Sequence, residues 1–280
     1  GLIGYGIQGS LTPAMHMREG EEEGLRLLYQ KIDLQQLGLG AEALPDLLTA
    51  AERMGFAGLN ITFPVKQSII PLLTELSDNA RALGAVNTVV LRDGRRSGHN
   101  TDLFGYAENL RRGLPEARRE RVVQMGAGGA GSAVAEALMQ LGVRELTVFD
   151  TDAARAEHVA SDLVSRHGAG RARPGRDLAS ALAEADGLVN TTPVGMAKLP
   201  GSPVPAELLR PELWVSEIIY FPIETELLKR ARTLGCRTLD GGGMAVFQAV
   251  RAFELFTGIK PDAERMRRHF NELQAAAAGT

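Results

Sequence analysis

The chain has 280 residues, 44% of them hydrophobic and 23% charged, with a net charge of −3; this is the composition of a globular protein of one or two domains with a substantial core. The mild acidity gives no reason to expect nucleic acid or an anionic membrane as a partner, and no apolar run reaches the ~18 residues that a membrane span needs. The single cysteine, Cys236, excludes an internal disulfide and a cysteine-built metal site, and a lone thiol suits a reducing, cytoplasmic compartment.

Strand-like and helix-like segments alternate throughout, which predicts an α/β fold of mostly parallel sheets in two runs. The opening residues, Gly1 to Gly6, lack the basic region and long apolar core of a signal peptide and read as the start of a strand. In the first run, about 1–105, Gly58–Thr62 and Ala85–Leu91 read as strands. Between them Leu72, Leu73, Leu76, Ala80 and Leu83 fall at helical spacing. Asp93-Gly94 is a turn signal that reverses the chain.

The polar stretch from Gly113 to Glu120 reads as a linker, and its arginines, interrupted by Glu116 and Glu120, as a solvated face. The second run, 106–242, predicts strands at Arg121–Met125, Glu145–Asp150, Gly187–Thr191, Leu213–Ile219 and Arg237–Leu239. Helices are expected at Ala130–Leu141, Asp152–Arg166, Asp177–Ala185 and Glu224–Leu234. That is a doubly wound nucleotide-binding pattern. From residue 243 to 280 two further helices, Met244–Thr257 and one from Asp262 onward, are expected to pack back on the first domain, with the tail Gln274–Thr280 fraying.

The first chemical signal is Gly126-Ala127-Gly128-Gly129-Ala130-Gly131, a G-x-G-x-x-G loop. A lone motif of this kind is weak, but here it follows the apolar strand Val122–Met125 and opens a helix. The glycines let the backbone approach a pyrophosphate, and the helix N-terminus offers amide donors and partial positive charge. Asp150, at the end of the next strand, is placed to accept hydrogen bonds from ribose hydroxyls and to repel a 2′-phosphate, which favours NAD over NADP. Arg155 nearby can stack on adenine or meet a phosphate instead. Asp150 also has a plain structural reading as a turn or capping residue.

Several segments together resemble the shikimate dehydrogenase family, and more closely its NAD-dependent quinate/shikimate dehydrogenase branch. They are Ser10-Leu11-Thr12-Pro13-Ala14-Met15-His16, similar to S-x-S/T-P-x-x-H, and Gly58-Leu59-Asn60-Ile61-Thr62-Phe63-Pro64-Val65-Lys66, similar to G-x-N-V-T-x-P-x-K. Gly84-Ala85-Val86-Asn87-Thr88 and Gly98-His99-Asn100-Thr101-Asp102 follow. In the second run come the glycine loop, Asn190-Thr191-Thr192-Pro193-Val194-Gly195-Met196, and Gly243-Met244 with Gln248-Ala249. Their number and order span nearly the whole chain.

The resemblance implies a role for each residue that matches. Ser10 and Thr12 would hold a substrate carboxylate. Thr62, Asn87 and Gln248 would bind ring hydroxyls, Asn60 would line the same site, and Tyr220 would lie near the substrate. Lys66 and Asp102 would be the catalytic pair. Gly126, Gly128, Gly129, Ala130 and Gly131, with Asp150, Arg155, Thr192, Met196 and Gly243, would meet the cofactor. Oxidising a secondary alcohol needs a hydride acceptor at carbon and a base for the hydroxyl proton. A lysine can serve if partly neutral in a dry cleft, while a neighbouring carboxylate raises its pKa, so which of the two carries the proton stays open. On the residues alone, the better reading of Lys66 is a solvated helix-start lysine and that of Asp102 a helix N-cap, and Ser10 and Thr12 can be read as turn chemistry before Pro13. His16 and His99 read as structural hydrogen-bonders, and His158, His167 and His269 as helix-surface residues; no metal constellation is seen.

Two departures from the family pattern matter. NADP-dependent members carry Asn-Arg-Thr after the second strand of the cofactor domain, where this chain has Asp150-Thr151-Asp152. Thr12 stands where many shikimate-specific members have serine, as in the quinate/shikimate branch. The expected function is therefore oxidation of shikimate, and of quinate, by NAD, in a cytoplasmic monomer or homodimer with a small-molecule substrate and neither nucleic acid nor membrane as partner. An aminoshikimate-type dehydrogenase and a catalytically silent shikimate- or quinate-binding sensor are the competing readings; Lys66, Asp102 and the lack of any DNA-binding segment argue against the sensor.

Overall fold

The computed structural model describes residues 1–278. It divides into two compact units, one of residues 1–101 with the chain from Val246 onward, the other of Asp102–Ala245.

The first unit is built on a six-stranded mixed sheet. Its strands are β1 (Leu2–Gly4), β2 (Lys31–Asp33), β3 (Gly58–Ile61), β4 (Glu75–Leu76), β5 (Thr88–Arg92) and β6 (Arg95–His99), in the order β2-β1-β3-β5-β6-β4. β1 lies parallel to β2 and β3, and β5 runs antiparallel to both β3 and β6. The β5–β6 hairpin turns at Asp93 and Gly94, both with positive φ (52° and 72°), as a two-residue hairpin turn requires. The helices here are α1 (Thr12–Glu22), α2 (Leu34–Leu37), α3 (Leu44–Arg53) and α4 (Asp78–Leu83). α3 shows how such a helix is specified: Leu44, Leu48 and Ala51 are buried at helical spacing, Pro45 sits in the first turn and Arg53 at the end. The leucine pattern from Leu72 to Leu83 is not one helix. A 3₁₀ turn (Ile70–Leu72) and β4 come first, and α4 starts only at Asp78, capped by Ser77, whose hydroxyl accepts the Ala80 N–H at 3.3 Å. Leu72, Leu73 and Leu76 still pack on the core, because a spacing of three to four residues is also met by a turn followed by an extended segment.

The second unit carries an all-parallel sheet ordered β12-β11-β10-β7-β8-β9, from β7 (Arg121–Met125), β8 (Glu145–Phe149), β9 (Ala172–Pro174), β10 (Gly187–Asn190), β11 (Trp214–Glu217) and β12 (Arg237–Leu239). Its helices are α5 (Thr101–Gly113, entering from the first unit), α6 (Gly129–Gln140), α7 (Ala153–His167), α8 (Leu178–Ala183) and α9 (Glu226–Thr233). The central strands read as apolar runs because both faces are covered: Val122, Val123, Leu146, Val148, Leu188, Val189 and Val215 are buried. A Cβ at Gly187 would overlap the indole of Trp214, whose Nε1 donates to the Arg118 carbonyl at 2.8 Å. β9 was not anticipated; three residues centred on Arg173 carry no apolar signature.

The chain returns to the first unit within α10 (Gly242–Thr257), and α11 (Ala263–Ala278) follows. α10 lays Ala252 and Phe256 on Val90 of β5, and a Cβ at Gly58 would overlap the Phe256 ring. α11 packs on α1, where the buried Glu19 carboxylate accepts from Arg265 (3.0 and 2.6 Å) and from the Asp262 N–H (3.0 Å). That arrangement corrects two histidine readings. His16 is no hydrogen-bonder: it is fully buried against the Tyr29, Phe253 and Phe256 rings, with neither ring nitrogen partnered. His269 is not on the surface but 4% exposed. His167 is half-buried and bonded to Glu136 (3.0 Å), while His158 is exposed. α11 is helical through Ala278, so fraying from Gln274 is not seen there, and the last two residues of that tail lie outside the described part.

Candidate active site

In the second unit the candidate residues gather at the carboxyl ends of β7, β8, β10 and β11. β10 and β7 are neighbours at the point where the strand order reverses, the place where open parallel sheets bind ligands. The loop after β7 is tight because of its glycines. Gly126 has φ 99°, and a Cβ there would lie 2.7 Å from Thr191 Oγ1; one at Gly131 would lie 2.5 Å from the Gly126 carbonyl oxygen. Gly128 and Gly129, by contrast, look onto open space at the N-terminus of α6. Two glycines thus permit close backbone packing, while two leave bare amides accessible, with Ala130 in the same first turn. This cradle fits the diphosphate of a dinucleotide.

Asp150 follows β8 directly. Its Oδ2 accepts the Ala127 N–H at 2.7 Å, and its Oδ1 accepts the Asp152 N–H at 2.9 Å. The carboxylate is fixed beside the glycine loop. Arg155 lies on α7 with its Nε 3.2 Å from Asp152 Oδ2, an exposed pair. Asp152 also caps α7 by accepting the Ala154 N–H.

After β10, Asn190 Oδ1 accepts both the N–H and the hydroxyl of Thr192 (2.9 and 2.7 Å). Met196 is 42% exposed on the same segment. After β11, the buried Glu217 accepts from Asn190 Nδ2, from the Ile218 and Ile219 N–H groups and from the Thr225 hydroxyl. Burial pushes its pKa up to about 7 against the pull of those donors. Tyr220 is 41% exposed overall, yet desolvation around its hydroxyl, and then the charge of Asp102, raise its pKa. Asp102 is not an N-cap: α5 begins at Thr101, so Asp102 sits in the first turn, where the helix dipole favours its charge. Gly243 has a packing reason to be glycine, since a Cβ there would overlap the Asn109 side-chain amide.

In the first unit the candidates other than Gln248 follow β1 or lie at the carboxyl end of β3 and the adjoining ends of β5 and β6. Asn60 is buried on β3, accepts the Tyr29 hydroxyl at 2.6 Å and donates to Thr88 Oγ1 at 3.1 Å. Asn87 continues the chain of bonds: its Oδ1 accepts the Thr101 N–H (2.7 Å) and its Nδ2 donates to Thr101 Oγ1 (3.0 Å). Thr62 leaves β3 with its N–H on the Ile3 carbonyl. Lys66 is half-buried in the turn that follows, not at a helix start, and its carbonyl accepts the Val86 N–H at 2.9 Å. Ser10 accepts the Thr12 N–H at 3.4 Å just before Pro13 in α1. Gln248 is half-buried in α10.

Asp33, Tyr29, Thr88 and Glu217 were not singled out from sequence. Asp33 ends β2 and is 3% exposed. Its carboxylate accepts the N–H groups of Gly6 (2.9 Å), Ile7 (3.0 Å) and Gln35 (3.1 Å) and the Gln8 side-chain amide (3.0 Å). Burial would raise its pKa, but these bonds together hold it below the ordinary carboxylate value. Among the described residues no cluster of His, Cys, Asp or Glu could hold a metal ion, and no helix is long and apolar enough to cross a membrane.

Residues 2–89 match the shikimate dehydrogenase substrate binding domain, and residues 241–269 the shikimate 5′-dehydrogenase C-terminal domain. The chain is 56% identical to a shikimate dehydrogenase (NADP(+)) of Streptomyces avermitilis, over 99% of this chain and 96% of that one. It is 51% identical to a quinate/shikimate dehydrogenase (NAD(+)) of Corynebacterium efficiens, over 98% and 97%. The fold superimposes on the quinate dehydrogenase of Corynebacterium glutamicum in complex with NAD with a TM-score of 0.92, at 47% identity and covering 97% of each chain. With similarity of this extent along both units, the chain belongs to the shikimate dehydrogenase family and is an oxidoreductase.

Proposed function

We propose that the protein oxidises the 3-hydroxyl of shikimate to 3-dehydroshikimate, and that of quinate to 3-dehydroquinate, with NAD as the hydride acceptor. The observation that carries the choice of NAD is the Asp150 carboxylate on the Ala127 N–H at 2.7 Å. A negative charge held against the glycine loop can accept from ribose hydroxyls and repels a 2′-phosphate. Arg155, the nearby cation, is engaged by Asp152. Such an exposed pair is worth only about 0–1 kcal/mol, so the choice of NAD rests on the Asp150 carboxylate and not on Arg155 being held away.

When bound, the nicotinamide takes up the hydride from carbon. The protein supplies the rest. Gly126, Gly128, Gly129, Ala130 and Gly131 hold the diphosphate, and Thr192, Met196 and Gly243 line the remainder of the nucleotide site. Ser10 and Thr12 bind the carboxylate through their hydroxyls. Thr62, Asn87 and Gln248 orient the ring hydroxyls, with Asn60 and Tyr220 beside them. Lys66 and Asp102 handle the proton of the reacting hydroxyl. The methyl of Thr12, worth about 1–3 kcal/mol in discrimination, supports acceptance of quinate.

Steady-state turnover of shikimate and quinate with NAD and with NADP tests the proposal. The expected result is reduction of NAD with both acids at a kcat/KM well above that with NADP. A preference for NADP, as the name of the Streptomyces avermitilis relative would suggest, overturns the reading of Asp150. Reduction of neither cofactor with either acid overturns the substrate assignment.

A further inference from the structure

Asn190 ends β10 and Glu217 ends β11, and the two are register partners across the parallel pair. Both are fully buried. Asn190 Nδ2 donates to Glu217 Oε1 and Oε2 at 3.0 Å each, and to the Val194 carbonyl at 3.0 Å. Its Oδ1 accepts the Thr192 N–H at 2.9 Å and the Thr192 hydroxyl at 2.7 Å. Glu217 also accepts from Ile218 N–H (3.0 Å), Ile219 N–H (3.1 Å) and the Thr225 hydroxyl (3.2 Å).

A primary amide has the same shape either way round, and its partners decide which end is oxygen. Here they decide firmly. Glu217 Oε1, which already receives the Ile218 and Ile219 N–H groups, accepts, as does the Val194 carbonyl, so the NH₂ end of Asn190 must face them. Turning the amide over would set its oxygen against both acceptors and its NH₂ against the Thr192 N–H, leaving buried polar groups unpaired. With the amide held, the Thr192 hydroxyl commits its single proton to Asn190 Oδ1. One Thr192 lone pair receives the Val194 N–H at 3.2 Å. What Thr192 has left to offer a ligand is a lone pair.

We propose that Glu217 is a positioning residue that fixes the Asn190 amide and so makes the Thr192 hydroxyl an acceptor, selecting a hydrogen-bond donor of the bound nucleotide such as a ribose hydroxyl or a carboxamide N–H. This rests on the reading of Thr192 as a cofactor contact. Replacing Glu217 by glutamine sets an amide donor against Asn190 Nδ2 and leaves the Val194 carbonyl as the remaining acceptor that holds the amide, so the Asn190 orientation, and with it the Thr192 proton, is less firmly fixed.

The test is equilibrium binding of NAD by fluorescence titration, alongside thermal unfolding, for the wild type, Glu217→Gln and the exchanged pair Asn190→Asp/Glu217→Gln. In the exchanged pair the carboxylate introduced on β10 still accepts from Thr192 and receives a hydrogen bond from the glutamine amide, but its second oxygen faces the Val194 carbonyl to which Nδ2 donated, so the repair is partial. Glu217→Gln should weaken NAD binding about tenfold or more, and the exchanged pair should recover about threefold or more of that loss. Undiminished binding by a folded Glu217→Gln protein overturns the inference, as does an exchanged pair that binds no better than the single variant. If Glu217→Gln does not fold, the exchanged pair alone decides: binding within about tenfold of wild type supports the inference, while weaker binding or failure to fold overturns it. Wild-type protein that binds neither NAD nor NADP would instead overturn the cofactor reading on which the inference stands.

Discussion

The carboxylate of Asp150 accepts the backbone N–H of Ala127 at 2.7 Å, joining the end of β8 to the glycine loop after β7. One side chain therefore shapes the loop and sets the charge beside it. Asp150→Asn keeps the size and an acceptor oxygen but removes the charge. The ratio of kcat/KM with NADP to that with NAD should rise by about tenfold or more, because like-charge repulsion against a 2′-phosphate disappears. NAD binding should weaken as well, since the asparagine amide would confront one of the two backbone N–H groups that the carboxylate now receives, and the other bond becomes a neutral one. Initial rates with both cofactors at saturating acid substrate measure this. An unchanged ratio would show that Asp150 serves the loop alone.

What could be read from sequence was what short-range rules enforce. Gly126 and Gly131 stand where a side chain would strike Thr191 or the Gly126 carbonyl, and Asp93-Gly94 supplies the two positive φ values that its hairpin needs. These demands are local and leave a local mark. Burial by remote segments leaves none. His16 and His269 look polar in their own helices, but the Tyr29, Phe253 and Phe256 rings enclose the first, and the packing of α11 on α1 takes the second from water. The leucines from Leu72 to Leu83 kept a helical spacing that tertiary packing overrode. Asp33 and Glu217 organise loops that carry candidate site residues, and each had a faint signal: a carboxylate closing an apolar strand must find donors, or it would not be tolerated there.

Lys66 is the candidate whose removal tests the chemistry most directly. Its fixed backbone contact is through its carbonyl to Val86 N–H, which any residue can make. Lys66→Ala should lower kcat by about 10²-fold or more, leaving the NAD dissociation constant and the circular dichroism spectrum unchanged. Comparable turnover in the variant would remove Lys66 from the proton-handling role.

His16 should mark the acid side of the stability profile. Burial lowers its pKa from 6.5 to about 3. Between those values the unfolded chain binds a proton that the native state refuses, so native stability falls as pH drops from 6.5 towards 3 and this contribution levels off below that. The slope from this residue approaches about 1.4 kcal/mol per pH unit. His16→Leu removes the group and should flatten the profile, so that the variant gains on the wild type as pH falls. Urea unfolding at pH 7.5, 5.5 and 4.5 would reveal it. Parallel profiles for the two proteins would mean that His16 is not held neutral.

Asp33 offers a way to separate substrate binding from cofactor binding. It lies at the end of β2, and through Gly6, Ile7 and Gln8 it holds the turn that leads to Ser10 and Thr12. Asparagine at this position can accept with one oxygen only, and its amide would confront the backbone N–H that the second oxygen now receives. The turn should relax and carry the two hydroxyls away from the place where a carboxylate would bind. Displacement on the ångström scale is costly to a preorganised site, so KM for shikimate should rise about tenfold or more in Asp33→Asn. The cofactor KM should stay put, because every cofactor candidate lies in the other unit. Asp33→Glu is a useful companion: it restores the charge but not the reach, and should recover only part of the loss. Equal increases in both KM values would point to general destabilisation, and no increase in either would show that Ser10 and Thr12 keep their places without Asp33.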